Sequence, residues 1–334
     1  MDILESLLIK AKPWHKRILL VSDESYQFYS GIKSILDKQI GKPIILGHTE
    51  SVLQSLKTYG ISAKQIEVID IDNDFRVIEE TKYYNYVINN LADDIGSDRF
   101  WDVYTNIKGL ALVNTGIADI FIGLPQFPIR DFALIAKYII GTKYTKSLIS
   151  SSHLVRTTAT EYGLNGNLIF GDCSIVINPT SNELADITNS TALIASLIFG
   201  TKEPKVSLLS FSTKGSASHY LVDKVLGAGK ILGSTSKRCD YDYELQIDAS
   251  IDSQVASSKA PLSSVAGHAN VLIFPDLQSG NIGLSLVKLV GDATIIGPII
   301  HGLRVPTYQL PDEYTCSDIL YLSAVGVIAT SMMD

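Results

Sequence analysis

The chain has 334 residues, a length that predicts two domains at about 150 residues each. Hydrophobic residues make up 46% and charged residues 19%, which indicates a chain that forms packed cores and argues against a disordered one. The 28 Lys and Arg residues stand against 35 Asp and Glu residues. The resulting net charge of −7 argues against a protein that binds nucleic acid without regard to sequence.

Cysteine usage and hydropathy indicate a cytoplasmic protein. Cys173, Cys239 and Cys316 lie far apart and have no zinc-site spacing, and a small odd number of cysteines suits a reducing compartment. The first residues lack the basic and apolar pattern expected of a signal sequence, and polar residues interrupt the most apolar stretch, residues 109–124. We therefore expect no metal site, no membrane partner and no nucleic-acid partner.

The first half of the chain alternates short apolar runs with segments of helical periodicity. The predicted strands are residues 17–21, 43–46, 66–69 and 119–122. The predicted helices are residues 26–40, 50–59, 75–91, 100–113 and 129–140. This alternation predicts an α/β fold with a mostly parallel sheet and crossover helices.

A polar stretch, residues 142–160, follows and is the predicted domain junction. The alternation then resumes, with predicted strands at residues 168–170, 206–211, 243–247, 271–274 and 294–296. Further helices are predicted at residues 183–198, from about residue 218, and at 280–290 and 318–329. The second half therefore also has the pattern of an α/β domain.

A hydroxyl-rich loop follows the predicted strand 206–211. It contains Ser212, Thr213, Lys214, Gly215 and Ser216. Free backbone N–H groups at the start of a helix bind anions, and a lysine adds a positive charge. The spacing is not that of a Walker A loop, and physical reasoning alone slightly favours a plain strand-to-helix loop with a serine cap. This 212–216 loop is a candidate substrate-binding segment.

Ser279, Gly280 and Asn281 follow the predicted strand 271–274. The carboxyl ends of parallel strands are where α/β sheets bind ligands, so these three residues are also candidates for substrate binding. A tight turn without a ligand explains the same residues equally well.

Three other features favour structural interpretations. Cys173 has no basic neighbour in sequence that would lower its pKa, which favours a buried structural thiol. The acidic run 240–244 is typical of a solvated loop. Residues 227–229, Gly-Ala-Gly, lack the third glycine of a dinucleotide loop, and we expect a turn there.

Nine segments together carry a family resemblance: residues 170–173, 178–180, 183–185, 205–217, 244–248, 259–261, 265–271, 273–283 and 297–303. In these segments the chain resembles the phosphate acetyltransferase (phosphotransacetylase) family. The match is dense from about residue 168 to residue 306 and weaker upstream.

The resemblance implies a two-domain, three-layer α/β fold like that of isocitrate and isopropylmalate dehydrogenases. Both sheets would be mostly parallel, with the active-site cleft between the domains. The expected domains are residues 1–145 with 303–334, and residues 146–302. The implied reaction transfers an acetyl group between coenzyme A and phosphate. Acetyl-CoA and acetyl phosphate would then be substrates, no cofactor would be tightly bound, and the protein would be a homodimer.

The resemblance also implies roles for particular residues. Asp318 matches the family's catalytic aspartate, the base that deprotonates the coenzyme A thiol for attack on acetyl phosphate. The family's Ser-Arg pair falls on Pro311 and Asp312, and two further arginines fall on Ile88 and Leu134. An acid in place of an arginine beside phosphate turns attraction into repulsion, about 4 kcal/mol at about 4 Å and an effective dielectric constant of about 20.

Four cations are candidates to replace the missing arginines: Arg130, Arg304, Lys214 and Lys259. Arg130 lies one helical turn before Leu134, and we count Arg130 and Arg304 as candidate substrate-binding residues.

Three functions remain open at this point. The first is an active acyltransferase with an altered phosphate subsite. The second is a catalytically degenerate paralogue that binds coenzyme A or a protein partner without turnover. The third is an enzyme for a less anionic acyl donor, because Ile88, Leu134 and Phe127 would make the site more apolar.

Overall fold

The computed structural model describes residues 2–73, 100–144, 147–200, 204–234 and 239–331. The chain divides into two compact units: unit 1 is Met1–Lys146 with Gly297–Asp334, and unit 2 is Ser147–Ile296. Unit 1 is thus assembled from two separate pieces of chain, whereas unit 2 is one continuous piece. The predicted helix at residues 75–91 lies outside the described residues.

The described residues of unit 1 form five strands: β1 (Arg17–Val21), β2 (Lys42–Gly47), β3 (Glu67–Asp70), β4 (Ile120–Gly123) and β11 (Thr307–Gln309). They form one parallel sheet in the order β11–β4–β1–β2–β3. In its register Leu19 of β1 lies opposite Ile44 of β2 and Phe121 of β4. Strands β1, β2 and β4 are buried almost continuously, as expected for a parallel sheet covered on both faces.

The described part of unit 1 has the helices α1 (Ile3–Ala11), α2 (Tyr26–Lys38), α3 (Thr49–Thr58), α4 (Phe100–Asn114), α5 (Ile129–Ile140) and α11 (Cys316–Thr330), with short 3₁₀ turns at Lys12–Trp14 and Ala63–Gln65. Helix α11 is buried along most of its length and packs against α1 and α2. Gly31 permits the approach to α2, because a Cβ atom there would lie 2.8 Å from Ile319. The C-terminal piece of the chain is therefore part of the core of unit 1.

The second sheet consists of β5 (Ser150–Arg156), β6 (Asn167–Gly171), β7 (Lys205–Leu209), β8 (Asp240–Leu245), β9 (Val271–Ile273) and β10 (Thr294–His301). It belongs to unit 2, except that the boundary between the units falls within β10, after Ile296. The sheet order is β10–β5–β6–β9–β7–β8. β6, β9, β7 and β8 are parallel, and β5 runs antiparallel to β6. The prediction of an α/β fold with mostly parallel sheets is confirmed.

Where the structure describes unit 2, its helices are α6 (Ser181–Phe199), α7 (Tyr220–Ser234), α8 (Ile247–Ile251), α9 (Ser253–Lys259) and α10 (Leu277–Leu289). A capping box starts α6: the Thr180 hydroxyl accepts from the Glu183 N–H, and the Glu183 carboxylate accepts from the Thr180 N–H. Across the ranges described above, no helix is long and apolar enough to cross a membrane.

The structure adds a strand within the predicted domain junction, where the boundary between the two units also falls, and corrects two local predictions. Strand β5 occupies part of the polar stretch 142–160, and its Ser150, Ser151 and Ser152 are at most 1% exposed. The acidic run 240–244 belongs to β8 and is not a solvated loop. Residues 227–229 lie inside α7 and do not form a turn, because Gly229 lets the helix lie against Tyr243, whose ring would be 2.2 Å from a Cβ atom.

Candidate functional site

In unit 1 the loops that follow β4 and β11 are neighbours, because these two strands pair directly. The first loop leads into α5, whose second residue is Arg130. The second loop runs through Pro311 and Asp312 into α11, whose third residue is Asp318. The structure therefore brings Arg130, Asp312 and Asp318 to one carboxyl edge of a parallel sheet, where α/β proteins bind ligands.

Asp318 has a structural task as well as a place at this edge. It is 7% exposed, and its Oδ2 accepts hydrogen bonds from the Thr315 N–H and the Thr315 hydroxyl, each at 2.8 Å. The Asp318 N–H in turn donates to Thr315 Oγ1 at 3.3 Å, which completes a capping box at the start of α11. Among the described residues, the hydrogen bonds that the Asp318 carboxylate accepts all fall on Oδ2. Oδ1 is therefore the oxygen that remains to take a proton.

Two buried amides shape the loop between β4 and α5. Gln309 Nε2 donates to the carbonyl oxygens of Leu124 at 3.2 Å and Phe127 at 2.8 Å. Asn106 Nδ2 donates to Gln126 Oε1 at 2.8 Å. Because Gln309 is 2% exposed and Asn106 is fully buried, the loop that leads into α5 is held in place by hydrogen bonds to side chains of the core.

The side chains around Arg130 differ in their access to solvent. Arg130 and Asp312 are exposed, and within the described part of the chain Arg130 makes no hydrogen bond or ion pair. Leu134, one turn further along α5, is 40% exposed, whereas Phe127 is buried against the ring of Phe132. Leu134 is therefore available to a ligand and Phe127 is not. Ile88 lies outside the described residues.

Arg304 lies near the amino-terminal ends of the unit 1 strands, opposite the carboxyl edge that carries Asp318. It precedes β11, and its Nε donates to the carbonyl oxygen of Ile140 at 3.1 Å, at the C-terminus of α5. Its Nη2 also donates to the side chain of Asn114, the last residue of α4. A guanidinium is favourable at the C-terminus of a helix, where free carbonyl groups carry partial negative charge. Within unit 1, Arg304 is therefore not brought together with Asp318.

In unit 2 the 212–216 loop and the segment 279–281 also share a carboxyl edge, because β7 and β9 pair. The Ser279 N–H donates to the capping carboxylate of Asp276 at 2.8 Å. Gly280 is buried, and a Cβ atom there would lie 2.7 Å from the carbonyl oxygen of Asp172. Of the three residues, Asn281 is the one exposed to solvent.

The side chains of the 212–216 loop divide into two groups. Lys214, Gly215 and Ser216 are exposed, whereas Ser212 is fully buried and Thr213 is 6% exposed. The Lys214 ammonium donates to the Asp242 carboxylate and, at 3.0 Å, to the carbonyl oxygen of Tyr243. The charge of Lys214 is thus balanced within the protein.

Each backbone N–H from residue 212 to residue 217 donates to an acceptor in unit 2, at 2.7–3.1 Å. In chain order the acceptors are Ser210 Oγ, Ser216 Oγ, Glu244 O, Glu244 Oε1, Thr213 O and Ser212 Oγ. The loop therefore presents no set of free amides to an anion. A carboxylate of the protein, that of Glu244, already accepts from it.

Two cations of unit 2 are held by neighbouring loops. Lys224, which the sequence analysis missed, donates from α7 to Asn178 Oδ1 at 2.8 Å and to the carbonyl oxygen of Pro275 at 2.7 Å. Partial burial lowers the pKa of Lys224, although the charge of Asp276 opposes this effect. The other, Lys259, pairs with Asp248 at 2.7 Å. Lys224 ties together the loops after β6 and β9, a role that no local sequence pattern reveals.

The residues that follow β6 are buried. Cys173 is fully buried, and burial raises its pKa well above the ordinary thiol value, which confirms the prediction of a structural thiol. Burial also raises the pKa of Asp172, although hydrogen bonds from the Ser151 hydroxyl and from backbone N–H groups partly oppose it. The Cys173 thiol is therefore not available as an ionised nucleophile near neutral pH, and the Asp172 carboxyl group is held in a buried set of hydrogen bonds.

Comparison with known proteins gives one consistent result. Residues 2–327 match the family model described as Phosphate acetyl/butaryl transferase. The chain is 34% identical to a phosphate acetyltransferase of Thermoanaerobacterium thermosaccharolyticum, with 100% of this chain and 99% of the relative covered. It is 32% identical to one of Clostridium acetobutylicum, with 98% of each covered. The solved structure of a phosphotransacetylase from Streptococcus pyogenes is similar with a TM-score of 0.84 at 30% identity, and covers 99% of this chain and 100% of its own.

Proposed function

The chain belongs to the Phosphate acetyl/butaryl transferase family, and we propose that it transfers an acyl group between coenzyme A and phosphate. It is an acyltransferase of the phosphate acetyltransferase type. The observation that carries this proposal is the family match across residues 2–327. Coenzyme A and acetyl phosphate are substrates in this reaction, and no tightly bound cofactor takes part.

Asp318 is the proposed general base. Its Oδ1 takes the proton of the coenzyme A thiol, and the thiolate is the competent nucleophile. The sulfur attacks the carbonyl carbon of acetyl phosphate, the new C–S bond forms, and the C–O bond to phosphate breaks. Phosphate leaves with the bonding electron pair. The position of Asp318 at the carboxyl edge, with its hydrogen bonds confined to Oδ2, supports this role.

The phosphate subsite is proposed to differ from that of the family. Pro311 and Asp312 replace the Ser-Arg pair, and Arg130 is the cation at the same edge. An exposed guanidinium on the first turn of α5 can bind phosphate in a bidentate manner. We therefore assign the phosphate contact to Arg130 and assign Asp312 as an unfavourable neighbour. Arg304 is not included, because it caps α5 at the opposite edge.

The test mixes the purified protein with acetyl phosphate and coenzyme A and follows thioester formation by absorbance. We expect turnover above an enzyme-free control, and a further rise in a Pro311→Ser/Asp312→Arg double variant. Loss of one electrostatic donor in a transition state typically costs about 10²–10³ in rate, so restoration of one should be measurable. A rate equal to the enzyme-free control for both proteins would contradict the proposed activity.

A degenerate paralogue is the second candidate, and Asp312 favours it because an acid at a phosphate subsite opposes binding of the anion. Calorimetry with coenzyme A separates the two candidates. Binding of coenzyme A without turnover in either protein would establish the degenerate paralogue. Turnover by the wild-type protein would exclude it.

The range of acyl groups that the enzyme accepts is proposed to include chains that are longer and less polar than acetyl. Leu134, 40% exposed on α5 next to Arg130, provides an apolar contact. A series of acyl phosphates of increasing chain length tests this. A preference for longer chains that disappears in Leu134→Ser supports the contact, and an unchanged preference would contradict it.

We also propose a homodimer in the cytoplasm. Helix α10 exposes Ile282, Leu286 and Leu289, and the cap residue Val290 extends this apolar stripe, with exposed fractions of 60–79%. Large exposed apolar patches on soluble proteins mark interaction sites. Sedimentation velocity should give twice the monomer mass for the wild-type protein and the monomer mass for Leu286→Asp. The three cysteines are unpaired, which supports a reducing compartment.

A further inference from the structure

Glu244 occupies an unusual position for a glutamate. It is 5% exposed at the end of β8, and its backbone has a φ of 55°, in the left-handed region. A single carboxylate oxygen, Oε1, accepts hydrogen bonds from the Ser212 hydroxyl and the Gly215 N–H, both at 2.7 Å. A buried carboxylate needs such charge-assisted partners to offset its desolvation.

The same residue holds the loop at a second point. The Lys214 N–H donates to the Glu244 carbonyl oxygen at 3.1 Å, and Lys214 and Gly215 have φ values of 48° and 87°. Next to it, the Gln246 N–H donates to Thr213 Oγ1 at 3.0 Å. The end of β8 therefore fixes the backbone of the loop that follows β7.

A hydroxyl and an amide that converge on one anionic oxygen are the donors that would bind a free anion in such a loop. Here the anion is part of the chain. We propose that Glu244 is the positioning residue of the 212–216 loop: its carboxylate takes the place of a bound anion and holds the loop in the conformation that receives coenzyme A. The part that concerns coenzyme A rests on the proposed function. Preorganising a loop in this way removes part of the ordering cost of ligand binding.

The test compares Glu244→Ala with Glu244→Gln. Alanine removes the acceptor oxygen, whereas glutamine retains one that can accept from Ser212 and Gly215. Glu183→Ala is the matched control, because it removes a glutamate with a capping role in the same unit without touching the loop. Hydrogen exchange of residues 210–218 is followed by mass spectrometry, and coenzyme A binding is followed by calorimetry.

We expect exchange of the loop to be at least about tenfold faster in Glu244→Ala, which corresponds to about 1.4 kcal/mol. Exchange in Glu244→Gln and Glu183→Ala should stay within about threefold of the wild-type rate. The dissociation constant for coenzyme A should rise about tenfold in Glu244→Ala and stay near the wild-type value in the other two. Acetate should restore both protection and affinity to Glu244→Ala, and chloride at equal ionic strength should not.

Wild-type exchange rates in Glu244→Ala, or equal effects of acetate and chloride, would overturn the proposal. Faster exchange without weaker binding of coenzyme A would overturn the positioning role. If the wild-type protein does not bind coenzyme A, the proposed function fails and the exchange arm still decides whether Glu244 holds the loop. If Glu244→Ala does not fold, the Gly215 amide resonance of [¹⁵N]glycine-labelled protein decides it: a shift in Glu244→Gln supports the contact, and no shift overturns it.

Discussion

Asp318 combines a capping role with a proposed catalytic role, and a single substitution separates the two. Asp318→Asn removes the charge and the proton-accepting ability but retains an oxygen for the two hydrogen bonds from Thr315. General base catalysis contributes about 10²–10⁴ in rate, equivalent to about 3–5 kcal/mol of activation free energy. A capping interaction contributes about 1 kcal/mol to folding. The two roles therefore differ several-fold in free energy and appear in different measurements.

We expect Asp318→Asn to lower kcat by about 10²–10⁴ and to lower the free energy of unfolding by less than about 1 kcal/mol. Thr315→Ala should do the reverse: it removes the hydroxyl from the box, should cost about 1 kcal/mol of stability, and should change kcat by less than about tenfold. Steady-state kinetics and urea unfolding measure the two quantities.

The capping box at the start of α6 provides a control of the same geometry in the other unit. Glu183→Gln alters the box formed with Thr180 and should change stability by a similar amount without lowering kcat. If Asp318→Asn lowers kcat no more than Glu183→Gln does, Asp318 is only a cap. Equal losses of kcat in Asp318→Asn and Thr315→Ala would likewise refute the assignment of a general base.

Three further outcomes follow from burial and packing. Native protein should react with a thiol reagent at Cys316 alone, because burial raises the pKa of Cys239 to about 11 and encloses the third thiol; peptide mass mapping before and after denaturation checks this. Burial raises the pKa of Asp119, but hydrogen bonds from Arg17 outweigh it and hold the pKa below the ordinary 3.8. Ionised Asp119 should therefore add under about 1 kcal/mol, after solvent screening, to the free energy of unfolding. This stabilisation should be present above pH 3.8 and be lost as the pH falls through the lowered pKa. Asp119→Asn should remove that pH dependence in urea titrations. Gly280→Ala should cost about 1–3 kcal/mol in the same assay, since its Cβ atom meets backbone; a smaller loss would favour a ligand-contact role over a packing role.

Much of the fold could be predicted from the sequence because parallel strands buried on both faces are continuous apolar runs. Strands β1, β2 and β4 are such runs and stand out against the amphipathic helices between them. Strand β5 could not be found in this way, because its buried serines make a polar run. Their partners, such as Asp172 for Ser151 and Thr191 for Ser152, are distant in sequence.

The sequence could predict which loops at strand ends form the candidate site. It could not predict which of their N–H groups are free to donate a hydrogen bond to a ligand. The composition of the 212–216 loop fits an anion site and, slightly better, a plain strand-to-helix loop, and the structure shows that its amides are used internally. Glu244 is the reason, and its role depends on a pairing between β7 and β8 that no local pattern encodes. Arg304 likewise reads as a cation near the site, whereas the strand β11 places it at the opposite edge from Asp318.

Because unit 1 consists of two pieces of chain, the two units can complete their folding only in a fixed order during synthesis. The sheet of unit 2 is complete once β10, which ends at His301, has left the ribosome, whereas unit 1 waits for the residues that follow. Until β11 arrives, the edge of β4 is unpaired, and the faces of α1 and α2 that α11 covers are open to solvent. The nascent chain therefore passes through a stage with an unpaired strand edge that can pair with other chains and with an exposed helical surface. Both are covered by its last 38 residues.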